Sequence, residues 1–504
     1  MKNSNSQLKA GVLISYITLI ISNIIPLFYT PFVIRTLGME EFGIYSLAKS
    51  VTFYLVLLNL GMGAGVVKFV NNAIASNDEK AKNNVFSLFV YAYGIIFFCV
   101  LLTGFVIAIN AGSIFKAIPE SFQSTLKILI LIVTLSTAFS LFFSVFVSVI
   151  QAHQKFVFEK TIGLLSTFIT PALIIISLMA GYRSIAIVCA TGLISILYGI
   201  VSAFYVHKIL HLKLIFRKID KTPLKSIFHF TKFIFLGEIA NILFSSTDRV
   251  ILGMFVSASA IAIYSVGLTF DAYFESVVTT ISHILFPKVN EMVTKNFSLL
   301  ELENLLIKVG RLQYIILGFI LCSFIVFGDR FIFLWIGNGY EYSYWIALVV
   351  MIPVSVPLLQ SVALSIIRAM SKHDFRAKVF VFVAIVNVVG SVLVVKKWGA
   401  LGCASVTSIA YLIGPVGIMN WFYHKRIGLD MIRFWKNIIK MSTAFVVMLI
   451  LGMILKYQVP LNTWRSFFFA TMCFSVLYFV IMWYKGMNKY EKELVTKLVK
   501  KEVI

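Results

Sequence analysis

Ionisable side chains are scarce in this chain, and seven of them fall between positions 232 and 283: Lys232, Glu238, Asp248, Arg249, Asp271, Glu275 and His283. In a helix, Asp271 and Glu275 stand four residues apart on one face. Two carboxylates so placed repel each other, which suits a site that takes up a proton or a sodium ion. The alternative is structural, with either acid paired to Arg249 or Lys232 across a helical hairpin. Glu238 and Asp248 are further coupling-ion candidates, although Asp248 and Arg249 lie near a span end where a structural role is favoured. Lys49, Lys232 and Arg249 are the candidates for attracting an anionic solute, since a cation in a low-dielectric cavity acts strongly on an anion. For Lys49 and Lys232 the competing account is snorkelling to the headgroups.

Chemistry that makes or breaks bonds finds no support. The nearest approach to a phosphate-cradling loop, GIYSLAKS at Gly43 to Ser50, has Ala48 where the second glycine belongs. No paired-aspartate motif or zinc-helix signature occurs. Cys99, Cys189, Cys322, Cys403 and Cys473 lie in apolar runs without ligand spacing. We therefore expect no enzyme, no metal and no cofactor.

The elements that must position these residues follow from composition. Hydrophobic residues make up 60% of the chain and charged residues 13%, against roughly half and a quarter in soluble proteins. Apolar runs of about 20 residues recur along nearly the whole length, and each can cross a ~30 Å hydrocarbon core as a helix. Lipid offers the backbone no hydrogen-bond partner, and the runs do not alternate as barrel strands do, so the fold class is an all-α integral membrane protein. We place about fourteen spans, with the longest loop at Lys288 to Arg311. The net charge of +23 would suggest nucleic acid in a soluble protein. Here Lys and Arg concentrate in alternate loops, as the positive-inside rule requires, which argues against nucleic acid and puts both termini in the cytoplasm.

An internal repeat organises the spans. Leu37-Gly38-Met39 recurs as Leu252-Gly253-Met254, Ile44-Tyr45-Ser46 as Ile263-Tyr264-Ser265, Ile150-Gln151-Ala152 as Ile367-Arg368-Ala369, and Gly181 with Ala186 as Gly399 with Ala404. The matches keep one order at an offset of about 217 residues. An even number of spans separates the copies, so the halves share an orientation. The expected plan is a six-helix lobe at 1–206, a basic cytoplasmic linker at 207–225, a second six-helix lobe at 226–424, and two more helices with a basic tail at 425–504. Two lobes around a shared cleft is a transporter plan, worked by rocking one repeat against the other. Pro26 and Pro31 in the first span are hinge candidates, because each removes a backbone donor; Pro353 and Pro357 do the same in the tenth.

At the repeated turns, Val33 to Ala75 (VIRTLGMEEFGIYSLAKSVTFYLVLLNLGMGAGVVKFVNNAIA), Ser246 to Gly267 (STDRVILGMFVSASAIAIYSVG) and Leu285 to Met292 (LFPKVNEM), the sequence resembles the polysaccharide biosynthesis or oligosaccharide flippase family of the multidrug/oligosaccharidyl-lipid/polysaccharide exporter superfamily. The resemblance covers nearly the full length. It implies a two-lobed carrier in a bacterial inner membrane that flips undecaprenyl-pyrophosphate-linked repeat units for O-antigen (lipopolysaccharide), capsule or exopolysaccharide, driven by a proton or sodium gradient. Its partners would be the lipid-linked oligosaccharide, membrane lipids, and a polysaccharide polymerase with its assembly machinery. A multidrug or cation antiporter and a lipid II flippase of the same superfamily are the alternatives; an anionic substrate predicts a cationic lumen and a cationic drug an acidic one.

Overall fold

A computed structural model gives the fold for all residues except 1, 77, 216–223, 296, 371, 373 and 500–504; the side chains of 2–13, 16, 224, 232–234, 236, 279–287 and 497–499 are also outside the described set. Residues 216–223 of the expected linker and the Lys232 side chain thus lie outside the described residues.

Among the described residues, twelve helical segments are long and apolar enough to cross a membrane. One of them, Asp374–Ile427, is broken at Gly399 (φ +53°) into two helical stretches. Leu224–Phe255 is a further helix of 32 residues, so the helices agree roughly with the fourteen spans expected.

The first unit of the chain, Met1–Ala262, contains α1 (Lys2–Leu37), α2 (Met39–Val56), α3 (Met62–Ala75), α4 (Glu79–Ile109), the single turn α5 (Ala111–Ile114), α6 (Glu120–Ala152), α7 (Phe156–Met179), α8 (Ser184–Lys208) and α9 (Leu224–Phe255). Helix α1 runs on through Pro26 and Pro31. Between α2 and α3 the chain breaks at Leu60 (φ +51°) and Gly61 (φ +69°), splitting the expected second span.

In lipid there is little hydrophobic drive between helices, so small residues that admit close approach, together with polar ties, hold the bundle. Helix α6 shows this on two sides: a Cβ on Gly104 of α4 would fall 2.1 Å from Thr134, and one on Gly192 of α8 would fall 2.1 Å from Ser136. At one end, buried Glu41 accepts hydrogen bonds from the Ser184 amide (3.0 Å), the Ser184 hydroxyl (2.6 Å) and Arg183 Nε, while Arg183 Nη2 donates to the Leu37 carbonyl (2.8 Å). This staple fastens the α1–α2 turn to the α7–α8 turn. Gly43, in the same EEFGIYS stretch, has a different task, because its Cβ would lie 1.9 Å from the Ala258 carbonyl oxygen. Backbone cannot yield as a side chain can, so Gly43→Ala is expected to destabilise the full chain by about 1–3 kcal/mol; a thermal-unfolding midpoint in detergent equal to wild type would refute this.

The second unit, Ile263–Ile504, takes most of α10 (Ala258–Thr294), then α11 (Leu299–Ile336), α12 (Glu341–Leu359), α13 (Ser361–Ala369), α14 (Asp374–Tyr411), α15 (Met419–Phe422), α16 (Met431–Gln458), α17 (Trp464–Ile481) and α18 (Lys489–Val499). Here the expected loop from Lys288 to Arg311 is corrected: α10 runs to Thr294 and α11 starts at Leu299. Ser298 and Glu301 form a reciprocal capping box at that start, satisfying donors that would otherwise be orphaned. The helices simply extend beyond their apolar windows.

Helices α11, α16 and α17 share a core of Cys322, Val326, Met441, Met448, Phe474 and Tyr478. Polar ties reinforce it. Arg311 on α11 is buried and donates to both carboxylate oxygens of Glu491 on α18 (2.6 and 2.9 Å) and to the carbonyls of Asn437 and Gly486 (both 2.9 Å). Lys456 pairs with Asp329 at 2.7 Å, and Tyr478 donates to the Ile315 carbonyl.

Local geometry repeats between the units. The Lys155 amide closes onto the Ile150 carbonyl (3.2 Å) and the Lys372 amide onto Ile367 (2.8 Å), capping α6 and α13 alike. Gly181 and Gly399 both take positive φ. A further pair was not among the matches read from sequence: the Leu212 amide bonds the Val206 carbonyl and Leu429 that of Tyr423, beneath His207 and His424. Gly38 and Gly253 differ, however. Gly38 forms a left-handed turn (φ +76°), whereas Gly253 is helical and sits against Leu47 and Phe115.

Candidate functional site

Two polar clusters stand out, one in each unit. In the first, α1, α2, α6, α7 and α8 enclose a cavity of about 270 Å³, roughly the space of nine waters at ~30 Å³ each. Lys49 of α2 lines it, and has neither an ion-pair nor a hydrogen-bond partner among the described residues. Around the amine stand the hydroxyls of Tyr29, Tyr45, Thr52, Thr137, Ser140 and Thr170, which also have no hydrogen-bond partner among the described residues. Elsewhere in these helices hydroxyls mostly satisfy themselves on the carbonyl a turn earlier, as Ser166 does on Ile162 and Thr167 on Gly163. An unpaired cation among free hydroxyls can receive a compact anion and the hydroxyls attached to it.

In the second unit, Asp271 and Glu275 share a face of α10, each within reach of the other's field. Neither has an ion-pair partner among the described residues, and Asp271 Oδ1 is buried without a hydrogen bond. The fields of both carboxylates and of Arg376 converge on Tyr411, and Arg376 and Arg368 both act on Tyr423. A pair of unsatisfied carboxylates beside a tyrosine is a cation-accepting arrangement.

The other sequence candidates are not gathered here. Asp248 is buried on α9 beside the Tyr54–Thr247 contact (2.7 Å) that ties α2 to α9. Arg249 is half-buried and Glu238 exposed, and neither lines the Lys49 cavity. Lys232 has no described side chain. Sequence reasoning missed the free hydroxyls, because Ser and Thr are commonplace in membrane helices, and it passed over Tyr411, which lies far along the chain from the two acids whose fields reach it.

The model of the family described as "Polysaccharide biosynthesis protein" matches residues 8–293. The chain belongs to this family. This member is a multi-pass membrane protein. The chain is 23% identical over 507 residues to the "Uncharacterized membrane protein EpsK" of Bacillus subtilis (strain 168), covering 96% of each chain. In fold it is similar to the lipid II flippase MurJ in an inward closed conformation (TM-score 0.72, 15% identity, 94% of this chain and 97% of that one). It is also similar to an inward-facing multidrug resistance MATE family transporter of the MOP superfamily (TM-score 0.62, 12% identity, 82% and 95%).

Proposed function

We propose that this polysaccharide biosynthesis protein flips prenyl-pyrophosphate-linked oligosaccharide units across the bacterial inner membrane by alternating access, as a step in O-antigen, capsule or exopolysaccharide assembly. The observation that carries the reading is the unpaired Lys49 amine in a cavity of free hydroxyls. A cationic drug would be repelled there, whereas a pyrophosphate bearing a sugar meets a positive charge and hydrogen-bonding groups. Asp271 and Glu275 supply the coupling site for a proton or sodium ion, and both termini lie in the cytoplasm.

Lys49→Gln is expected to lower flipping of a labelled lipid-linked oligosaccharide in inverted vesicles by about tenfold or more, since one charged hydrogen bond contributes ~1.5–3 kcal/mol. Lys49→Arg should retain most of the rate. Equal rates for the Gln variant and wild type would remove Lys49 from substrate binding.

The second reading, a cation or drug antiporter, draws on the acid pair and on the likeness to MATE transporters. A lipid II flippase, the third, shares the anion requirement and differs in the saccharide it accepts.

A further inference from the structure

A second and larger cavity in the first unit, about 1150 Å³, lies along α6, α7 and α8. It exceeds the ~300–1,000 Å³ of ordinary small-molecule pockets and its walls are graded. At the end bearing the α7–α8 turn it is lined by Glu41 with its partner Arg183, and by Ser121, Thr125, Ser177 and Tyr182; deeper in, by Ile132, Leu135, Leu173, Leu193 and Ile196. Ser121 to Ser136 on α6 spans about 22 Å at 1.5 Å per residue, somewhat more than the ~15 Å of hydrocarbon in one leaflet. The floor is the α6–α8 crossing, where Gly192 meets Ser136 too closely to admit any side chain.

The polar end is equipped for a ligand. The hydroxyls of Ser121, Thr125, Ser177 and Tyr182 have no hydrogen-bond partner among the described residues, and Arg183, whose side chain is 59% exposed, leaves Nη1 free while Nε and Nη2 serve the Glu41 staple. Donors and a guanidinium at headgroup level, above an apolar trough one leaflet deep, match a phosphodiester with an acyl chain below it. We propose that this groove is a binding site for a glycerophospholipid of the bilayer, with its phosphate at Arg183, Ser121 and Thr125 and one acyl chain along Leu135, Leu193 and Ile196. Carrying no cation besides the stapled Arg183, the groove is separate from the Lys49 cavity, though the two share Ser136 and Gly192 in their walls.

The test uses the unmodified full chain in nanodiscs. Cys189 lines the groove and Cys99 on α4 does not, and both are exposed, so their alkylation by a small maleimide can be compared within one sample by peptide mass spectrometry. In phosphatidylglycerol, Cys189 labelling relative to Cys99 should fall at least fivefold below its value in a phosphate-free glucosyl diacylglycerol. Native mass spectrometry should find phosphatidylglycerol retained by wild type and lost from both Leu193→Trp, which fills the trough, and Ser121→Ala/Thr125→Val, which strips the mouth. A Cys189/Cys99 ratio that is the same in the two lipids overturns the proposal. So does displacement of phosphatidylglycerol by undecaprenyl phosphate, which would make the groove a seat for a prenyl chain.

Discussion

Replacing Asp271 and Glu275 together by Asn and Gln is expected to abolish the difference between energised and de-energised transport. One charge moved across 100 mV is worth ~2.3 kcal/mol, or roughly 50-fold in accumulation. That is the size of the effect the pair would supply if a proton or sodium ion binds there once per cycle. The two carboxylates share a face of α10 with no basic partner among the described residues, and Asp271 Oδ1 is buried without a hydrogen bond. The amide variants keep size and shape while removing the charge, so folding should survive. Proteoliposomes with an imposed proton gradient, and separately a sodium gradient, read the outcome. Full gradient dependence in the double variant would show that coupling resides elsewhere.

Arg311→Met is expected to destabilise the protein by about 3–5 kcal/mol, because it leaves a buried carboxylate without its partner. Glu491 is only 2% exposed, and its carboxylate accepts hydrogen bonds from Arg311 Nε and Nη2 and from the Asn488 amide. Pairing the change with Glu491→Met should recover most of the loss, since apolar replacements for a buried ion pair are often neutral or stabilising. The thermal midpoint of the full chain in detergent reports both. A single variant as stable as wild type would mean that the contact does not anchor α18.

How much of this was legible beforehand depends on whether the signal is local. Apolar runs mark their own spans, so the all-α class and the many membrane-length helices follow from composition. Positive-φ glycines mark their own turns, and Gly181 with Gly399 emerged from the repeat. The HK pair at 207–208 and 424–425 was equally readable and was overlooked. Gly38 and Gly253 show the limit: the same tripeptide is a turn in one copy and helical interior in the other, because Gly253 must pass Leu47 and Phe115. Arg311 and Glu491 are 180 positions apart, and no periodicity links them. The Lys49 cavity gathers hydroxyls from five helices, each unremarkable within its own span. Asp271 and Glu275 were visible because helical spacing alone aligns them; Tyr411 comes within their field only through the fold.

The proposed substrate is an anionic sugar lipid. Reconstituted wild-type protein offered a labelled pyrophosphate-linked oligosaccharide and ethidium under one imposed gradient tests it most directly. Movement of the sugar lipid, slowed by Lys49→Gln, with ethidium left behind, is the expected result; ethidium transport without movement of the sugar lipid would overturn the proposal.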